Sequence, residues 1–242
     1  MKTLIIADPH EEIDRLEYVL KSWPADRVVV IGDYFDSFYQ PMEDLAKMTK
    51  WVKAHLADPN FTLLLGNHDL HYGFPKIESL RCSGYNLAKQ TMISHILKQG
   101  EFRSMKLHCW VDGWLLTHAG LHPSFAHPMH GLSPSYVDQL CEETLSKLHM
   151  GECPDLLRAG RARRGPAPIG GITWCDWSLE FIPAPGLNQI VGHSCGLLPR
   201  EKNTSASRNI CIDTRLGTVI MMIDGEPKLI ATEAHMLPDW VK

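Results

Sequence analysis

The stretch VVVIGDYFD, Val28 to Asp36, decides the fold of this 242-residue chain. Four β-branched residues, Val28 to Ile31, predict a short strand that is buried on both faces, and Gly32 ends it. Two acidic residues, Asp33 and Asp36, follow at once. Carboxylates at the end of a buried strand are costly unless positive charge meets them. This strand end therefore predicts a polar site.

The same arrangement, an apolar run that ends in polar residues, occurs four more times along the chain. The further sets are Asp8 and His10; Asn67, His68 and Asp69; His118; and His193. Helical spacing of apolar residues separates the first three strands, as expected for an α/β sheet with parallel strands. Sites in such sheets lie beyond the carboxyl ends of the strands. We therefore expect these side chains to meet there.

Apolar periodicity and turn residues predict the remaining elements. Helical patterns cover residues 13–20, 40–56, 77–99 and 133–149. Strands are predicted over 3–7, 61–65, 105–110, 114–117 and 189–191, with an Asp112-Gly113 turn inside a hairpin. The last strands, over 209–213, 218–223 and 228–231, are predicted to form a β-meander with a turn at Asp224-Gly225.

Composition limits the class of protein. With 44% hydrophobic residues the chain can form a sizeable core, and its length favours a single domain over residues 1–242. The formal net charge of −4 gives no strong nucleic-acid signal and no reason to expect an anionic membrane as partner. Seven cysteines without a CxxC pair, and only four apolar residues before the N-terminus turns acidic, predict a cytoplasmic protein without a membrane segment.

The polar residues at the five strand ends are typical metal ligands when they are taken as a set. A single histidine is more often a packed or surface residue, and Asp8 alone would suit a helix N-cap. Carboxylates, one amide and several imidazoles together fit Mn, Fe, Zn or Ni better than calcium. Two such ions can share one carboxylate at a separation of about 3.5–4 Å. The set is therefore compatible with two divalent ions.

The motif series resembles the calcineurin-like metallophosphoesterase superfamily. Its parts are DPH at Asp8, GDYFD at Gly32, GNHD at Gly66, THAG at Thr117 and GH at Gly192. THAG followed by GHS is similar to the phosphoprotein phosphatase branch, with its bacterial and phage serine/threonine phosphatases and diadenosine tetraphosphatases. The resemblance covers residues 5–225. It implies a four-layer α/β/β/α sandwich of two mixed sheets, with a dinuclear metal site at the carboxyl ends of the strands.

The resemblance also implies a role for each motif residue. Asp8 and His10 would hold the first metal, Asp33 would bridge, and the second metal would be held by Asn67, His118 and His193. His68 would donate a proton to the leaving group, oriented by Asp36, and a metal-bridging hydroxide would attack phosphorus. Mn²⁺ is the expected ion, with Fe, Zn or Ni as alternatives. Asp69 is interpreted as a carboxylate that fixes the loop rather than as a ligand.

Two departures from the family pattern affect the expected site. The last motif is often GHxH, whereas this chain has Ser194 and Cys195 after His193. The branch also usually has Arg-Gly directly after the second Asp of GDxxD, where this chain has Ser37-Phe38. Residues 158–171 form either a solvated surface loop or a mobile loop that brings a guanidinium to an anionic substrate. The candidate substrate-binding residues are Arg161, Arg163 and Arg164, together with Asn67.

Three functions follow from these observations. The first is metal-dependent hydrolysis of phosphomonoesters, including the action of a protein serine/threonine phosphatase. The second is a phosphodiesterase or nucleotide pyrophosphatase, similar to diadenosine tetraphosphatase, on the same dinuclear site. The third is a silent binding protein that keeps the fold. The expected partner is a phosphorylated substrate, whether small molecule, nucleotide or phosphoprotein, and the sequence leaves the oligomeric state open.

Overall fold

The computed structural model describes residues 1–232, so the last ten residues of the predicted domain lie outside the described part. Its strands and helices, in chain order, are β1 (Lys2–Ile6), α1 (Ile13–Ser22), β2 (Arg27–Val30), α2 (Met42–Leu56), β3 (Phe61–Leu63), α3 (Asn67–Gly73), α4 (Leu87–Ile96), α5 (Gln99–Phe102), β4 (His108–Val111), β5 (Trp114–Thr117), α6 (Pro134–His149), β6 (Asn188–Val191), β7 (Arg200–Glu201), β8 (Asn209–Cys211), β9 (Thr218–Ile223) and β10 (Glu226–Ala231). Among these described helices, none is long and apolar enough to cross a membrane.

The strands form two mixed sheets of five strands each. The first sheet has the order β10-β9-β1-β2-β3, and the second has the order β4-β5-β6-β8-β7. In the first sheet β1, β2 and β3 run parallel, and β9 pairs with β1 in the antiparallel direction. In the second sheet β5, β6 and β8 run parallel. The predicted pair of mixed sheets is confirmed.

The two sheets pack face to face through a continuous apolar layer. Alternate residues of a strand point to opposite faces, so Ile5 and Val29 point into this layer, while Leu4 and Val28 point to the helices. The second sheet contributes Ile190 and other residues to the same layer. On the outer faces, the helix residues Leu16, Leu45 and Met48 cover the first sheet, and Leu115 of the second belongs to a buried cluster with Val137 and Cys141 of α6. This is the four-layer α/β/β/α arrangement.

The helix predicted over residues 77–99 is wrong in its first part. Residues 78–80 form only a short 3₁₀ turn, and α4 begins after Asn86. The side-chain oxygen of Asn86 accepts a hydrogen bond from the backbone N of Lys89 at 2.9 Å, which caps the helix. A further helix, α3, starts at Asn67, where the sequence analysis placed only polar residues at a strand end.

The predicted β-meander is also wrong, because its three strands belong to two sheets. The β9–β10 hairpin turns at Asp224-Gly225 as predicted. In contrast, β8 pairs with β6 and β7 in the second sheet. The turn between β8 and β9 carries positive φ angles at Arg215 and Leu216, and it takes the chain across to the first sheet. Apolar strand patterns are alike in both sheets, so they do not identify the pairing partner.

The layer between the sheets should dominate stability. Ile190 is fully buried there, so Ile190→Ala should lower the free energy of unfolding by about 2–5 kcal/mol because it removes buried methyl groups and leaves a cavity. Leu198→Ala is the control, since Leu198 is 73% exposed and surface changes stay within about 0.5 kcal/mol. Urea denaturation measures both. Equal effects of the two variants would contradict this assignment of the core.

Candidate metal centre and active site

The five polar strand ends meet at one edge of the two-sheet sandwich. Asp8 and His10 follow β1, Asp33 and Asp36 follow β2, Asn67 and His68 begin α3 after β3, His118 follows β5, and His193 follows β6. Their ligand atoms form two groups, within each of which all atoms lie within 4.8 Å of one another. One group is Asp8, His10 and Asp33, and the other is Asp33, His118 and His193. Asp33 belongs to both.

Unusual backbone conformations aim these side chains. Left-handed φ angles occur at Asp8 (51°), His10 (37°), Asp33 (58°), Asp36 (68°) and His193 (64°). Such conformations are uncommon for residues other than glycine, although Asp and His tolerate them better than most. They cost energy and are characteristic of functional sites. The chain therefore leaves β1, β2 and β6 abruptly, and the side chains that follow these strands turn toward the common edge.

Close approach between neighbouring loops fixes the motif glycines. A Cβ atom on Gly66 would lie 2.1 Å from Oδ1 of Asp33. A Cβ atom on Gly192 would lie 2.0 Å from Oδ2 of Asp8. Any side chain at either position would displace a carboxylate of the metal groups, so both glycines are needed for the site rather than for the strands.

Backbone carbonyls orient two of the histidines. Nδ1 of His10 lies 2.8 Å from the carbonyl oxygen of Phe35, and Nε2 points to Oδ2 of Asp33 at 3.6 Å. Nδ1 of His118 lies 2.9 Å from the carbonyl oxygen of Ile31, and Nε2 lies 3.3 Å from the same Asp33 oxygen. A hydrogen bond at one ring nitrogen leaves the other free to bind a cation, which is the usual arrangement at metal sites.

The second group is completed by Asn67 and His193. Oδ1 of Asn67 lies 2.9 Å from Nε2 of His118. Nδ1 of His193 lies 3.2 Å from the same His118 atom, and the backbone N of His193 donates to the Asp8 carboxylate at 3.0 Å. Nε2 of His193 is buried without a hydrogen-bond partner among the described residues. Oδ1 of Asn67, Nε2 of His118 and Nδ1 of His193 thus converge into a donor set that a cation would satisfy.

The electrostatics of the two groups also fit divalent cations. Burial and the nearby charges of Asp213 and Asp33 raise the pKa of Asp8 well above its ordinary value, so the Asp8 carboxylate lacks compensating positive charge. Burial lowers the pKa of His10 and, together with His118 and Arg163, that of His193. Both imidazoles are therefore favoured in the neutral form that binds metal ions. Asp213, which the sequence analysis did not identify, is thus a further acidic residue close to Asp8 and Asp33.

His68 and Asp36 form a pair beside the metal groups. Nδ1 of His68 lies 3.1 Å from Oδ2 of Asp36, and its backbone N donates to Oδ1 of Asp33 at 2.9 Å. Burial would lower the pKa of His68, but the carboxylates of Asp33 and Asp36 outweigh it and raise that pKa above its ordinary value. His68 is therefore favoured in the protonated form, with Nε2 turned away from Asp36. The hydroxyl of Tyr72 also donates to Asp36.

Asp69 fixes the loops, in agreement with its interpretation from the sequence. Its Oδ2 atom accepts hydrogen bonds from the backbone N of Asp33 and the backbone N of Gly66, both at 2.8 Å. The carboxylate thus joins the end of β2 to the start of α3. It belongs to neither ligand group.

Of the three candidate arginines, only Arg163 is placed at the metal groups. Its Nη2 donates to Oγ of Ser194 at 3.1 Å, and its Nε lies 2.8 Å from Oδ2 of Asp176. Arg161 and Arg164 are exposed. Ser194 directly follows His193, so the Arg163 guanidinium lies at the rim of the second group.

The arginine segment is anchored, which differs from its interpretation as a mobile loop. The buried Glu180 carboxylate accepts hydrogen bonds from the backbone N atoms of Ala162 (3.1 Å), Gly170 (3.0 Å) and Asp176 (3.2 Å). One side chain thus ties both ends of the segment to the stretch that carries Asp176. The sequence offered no signal for this contact, because an isolated Glu in a loop is usually solvated.

A family model described as calcineurin-like phosphoesterase matches residues 1–191. The chain belongs to the calcineurin-like phosphoesterase family. It is therefore a hydrolase that acts on phosphate ester bonds, and its family implies divalent metal ions. No curated protein sequence matches the chain.

Several solved structures share the fold of this phosphoesterase. A cold-active protein-tyrosine phosphatase of the psychrophile Shewanella sp. is 15% identical, with a TM-score of 0.60 over 95% of this chain and 77% of that chain. A protein serine/threonine phosphatase from Saccharomyces cerevisiae, similar to human PP5, is 15% identical, with a TM-score of 0.55 over 99% and 82%. A metallophosphoesterase from Sphaerobacter thermophilus is 16% identical, with a TM-score of 0.50 over 96% and 89%. At such identities the likeness concerns the fold alone.

Because Asp33 belongs to both ligand groups, Asp33→Asn should weaken binding of both ions. We expect Mn²⁺ affinity to fall at least about tenfold at each site, as commonly follows loss of a metal-binding interaction. Isothermal titration calorimetry with metal-free protein measures this. Asp224→Asn is the matched control, since Asp224 also has a left-handed φ (51°) but lies in an exposed hairpin turn. Unchanged binding by Asp33→Asn would exclude a shared ligand.

Proposed function

We propose that this phosphoesterase hydrolyses phosphomonoesters, with a phosphorylated small molecule or a phosphoprotein as substrate. The observation that carries the proposal is the His68–Asp36 pair beside two ligand groups that share Asp33. A protonated imidazole at this place can supply a proton to an alkoxide leaving group, which a monoester of an alcohol requires. The seven free cysteines support a cytoplasmic location.

We propose Mn²⁺ as the ion at both positions. Asp8, His10 and Asp33 would hold one ion, and Asp33, Asn67, His118 and His193 would hold the other. Mixed oxygen and imidazole donors suit Mn²⁺, and they also permit Fe, Zn or Ni. When bound, the ions would acidify water and neutralise negative charge on the phosphoryl oxygens.

Side chains of the protein carry out proton donation and binding of the phosphoryl group. His68 donates a proton to the leaving oxygen, and Asp36 fixes the orientation of its ring. Arg163 binds a phosphoryl oxygen at the rim of the second group, in place of the arginine that is missing after Asp36. Its geometry supports this role, because Ser194 at Nη2 and Asp176 at Nε fix the orientation of the guanidinium. Asn67 lies beside the same position.

A phosphodiesterase or nucleotide pyrophosphatase is the second candidate. Ser37 and Phe38 stand where the phosphoprotein phosphatase branch resembled in sequence usually has Arg-Gly. A diester carries one negative charge fewer than a monoester and needs one cationic contact fewer. Phe38, two residues after Asp36 in the chain, is 66% exposed and therefore offers an aromatic side chain to a substrate.

Hydrolysis of an ester panel tests the proposed function. Chelator-treated protein should be inactive, and added Mn²⁺ should restore hydrolysis of p-nitrophenyl phosphate in preference to bis-p-nitrophenyl phosphate and diadenosine tetraphosphate. Preference for either of the latter would replace the monoesterase by the second candidate. Stoichiometric metal binding with no hydrolysis of any ester would favour a silent binding protein.

Arg163→Ala should raise the KM for a monoester by about 10–100-fold, because it removes a hydrogen bond between charged groups worth about 1.5–3 kcal/mol. Steady-state kinetics with p-nitrophenyl phosphate measure this. Arg158→Ala is the matched control, since Arg158 lies in the same segment but pairs with Asp155 at 3.3 Å and is half exposed. If Arg161→Ala or Arg164→Ala raised KM instead, the assignment to Arg163 would be wrong.

A further inference from the structure

We propose that Tyr72 and Lys89 are positioning residues for the proton donor His68, and that both act through the carboxylate of Asp36. The inference rests on the proposed phosphatase reaction and deepens it. Neither residue belongs to a motif of the sequence. They come from two different helices, α3 and α4.

The two oxygens of Asp36 have separate partners. Oδ2 faces Nδ1 of His68 at 3.1 Å. Oδ1 accepts the hydrogen bond from the Tyr72 hydroxyl, and Nζ of Lys89 lies 3.8 Å from the same atom. Asp36 is almost fully buried, so no bulk water replaces a lost partner. The orientation of the carboxylate is therefore set by these contacts.

The geometry of α3 places Tyr72 for this contact. His68 and Tyr72 are four residues apart, so they lie on one face of the helix, about one turn from each other. Both side chains reach the Asp36 carboxylate from that face. Tyr72 is only 2% exposed. Burial and the Asp36 charge raise the pKa of Tyr72, so its hydroxyl stays a donor.

Lys89 supplies a buried positive charge behind the pair. It is 6% exposed, and Nζ lies 3.2 Å from Oε1 of Glu11 and donates to the carbonyl oxygen of Ser37 at 2.9 Å. The ammonium group thus meets two buried carboxylates, Glu11 and Asp36, and it also fixes the backbone directly after Asp36. Its removal would take away the cation that these two buried carboxylates share.

Loss of these contacts should impair proton donation to the leaving group more than the other steps of the reaction. A misplaced His68 donates its proton poorly, which matters for an alkoxide leaving group. p-Nitrophenolate leaves without a proton near neutral pH. A defect in positioning should therefore depend on the leaving group, whereas general damage to the fold or to the metal ligands should reduce hydrolysis of both esters alike.

Tyr72→Phe tests the inference, since it removes only the hydroxyl. With Mn²⁺ present, kcat for O-phosphoserine should fall about tenfold or more, within the range that proton donation contributes. The kcat for p-nitrophenyl phosphate should change less than about threefold, and KM and Mn²⁺ affinity should stay as in the wild type. His68→Asn, which removes the proton donor itself, shows for comparison the largest fall in kcat that loss of proton donation can cause.

Tyr34→Phe is the matched control. Tyr34 is equally buried, but its hydroxyl donates to the backbone carbonyl of Val30 at 3.1 Å. This variant should keep the wild-type ratio of the two kcat values, whatever its effect on stability. Lys89→Met should reproduce the Tyr72→Phe ratio, and if that variant does not fold, Tyr72→Phe alone decides.

Two results would overturn the inference while leaving the proposed function intact. One is an active Tyr72→Phe enzyme whose kcat falls equally for both esters or for neither. The other is a Tyr34→Phe variant in which the ratio of the kcat values for the two esters changes as much as in Tyr72→Phe. If wild-type protein loaded with metal hydrolyses neither ester, the proposed function fails, and the inference fails with it.

Discussion

The structure depends on the carboxylate of Asp33 and on what surrounds it. One oxygen faces His10 and His118, and the other accepts the backbone N of His68. The backbone N of Asp33 donates to Asp69, which also holds Gly66. The ends of β2 and β3, the start of α3 and the histidine after β5 therefore share one small volume. The motif glycines follow from this constraint, because a side chain there would displace a carboxylate.

Without bound cations, this arrangement of side chains and backbone costs free energy. Several buried carboxylates lie close together, and five of the site residues have left-handed backbone angles. The apolar layer between the sheets and the helices outside them hold these loops in place, since each loop is the short continuation of a buried strand. The same burial that makes the carboxylates repel one another lowers the pKa of His10 and His193 and so favours their neutral imidazoles. The rigid scaffold and the excess of buried negative charge together favour the binding of divalent cations.

The sequence was sufficient for nine of the ten described strands and for the motif residues that meet at the site, because each of those five strand ends combines an apolar run with typical ligand residues. It was insufficient wherever a contact depends on packing between distant elements. Lys89 approaches Asp36 from a separate helix, and Glu180 holds the arginine segment through backbone amides alone. The helix that contains His68 and Tyr72 has seven residues, which is too few for periodicity to reveal. The pairing of β8 failed for a related reason, since an apolar strand fits either sheet.

The metal groups divide unequally between the two sheets. Asp8, His10 and Asp33 all follow strands of the first sheet, whereas His118 and His193 follow strands of the second. An ion in the second group would therefore join the sheets as a cross-link, in addition to the apolar layer that already holds them together. Occupancy of that position would resist separation of the two sheets, and it would couple the stability of the sandwich to the concentration of free metal.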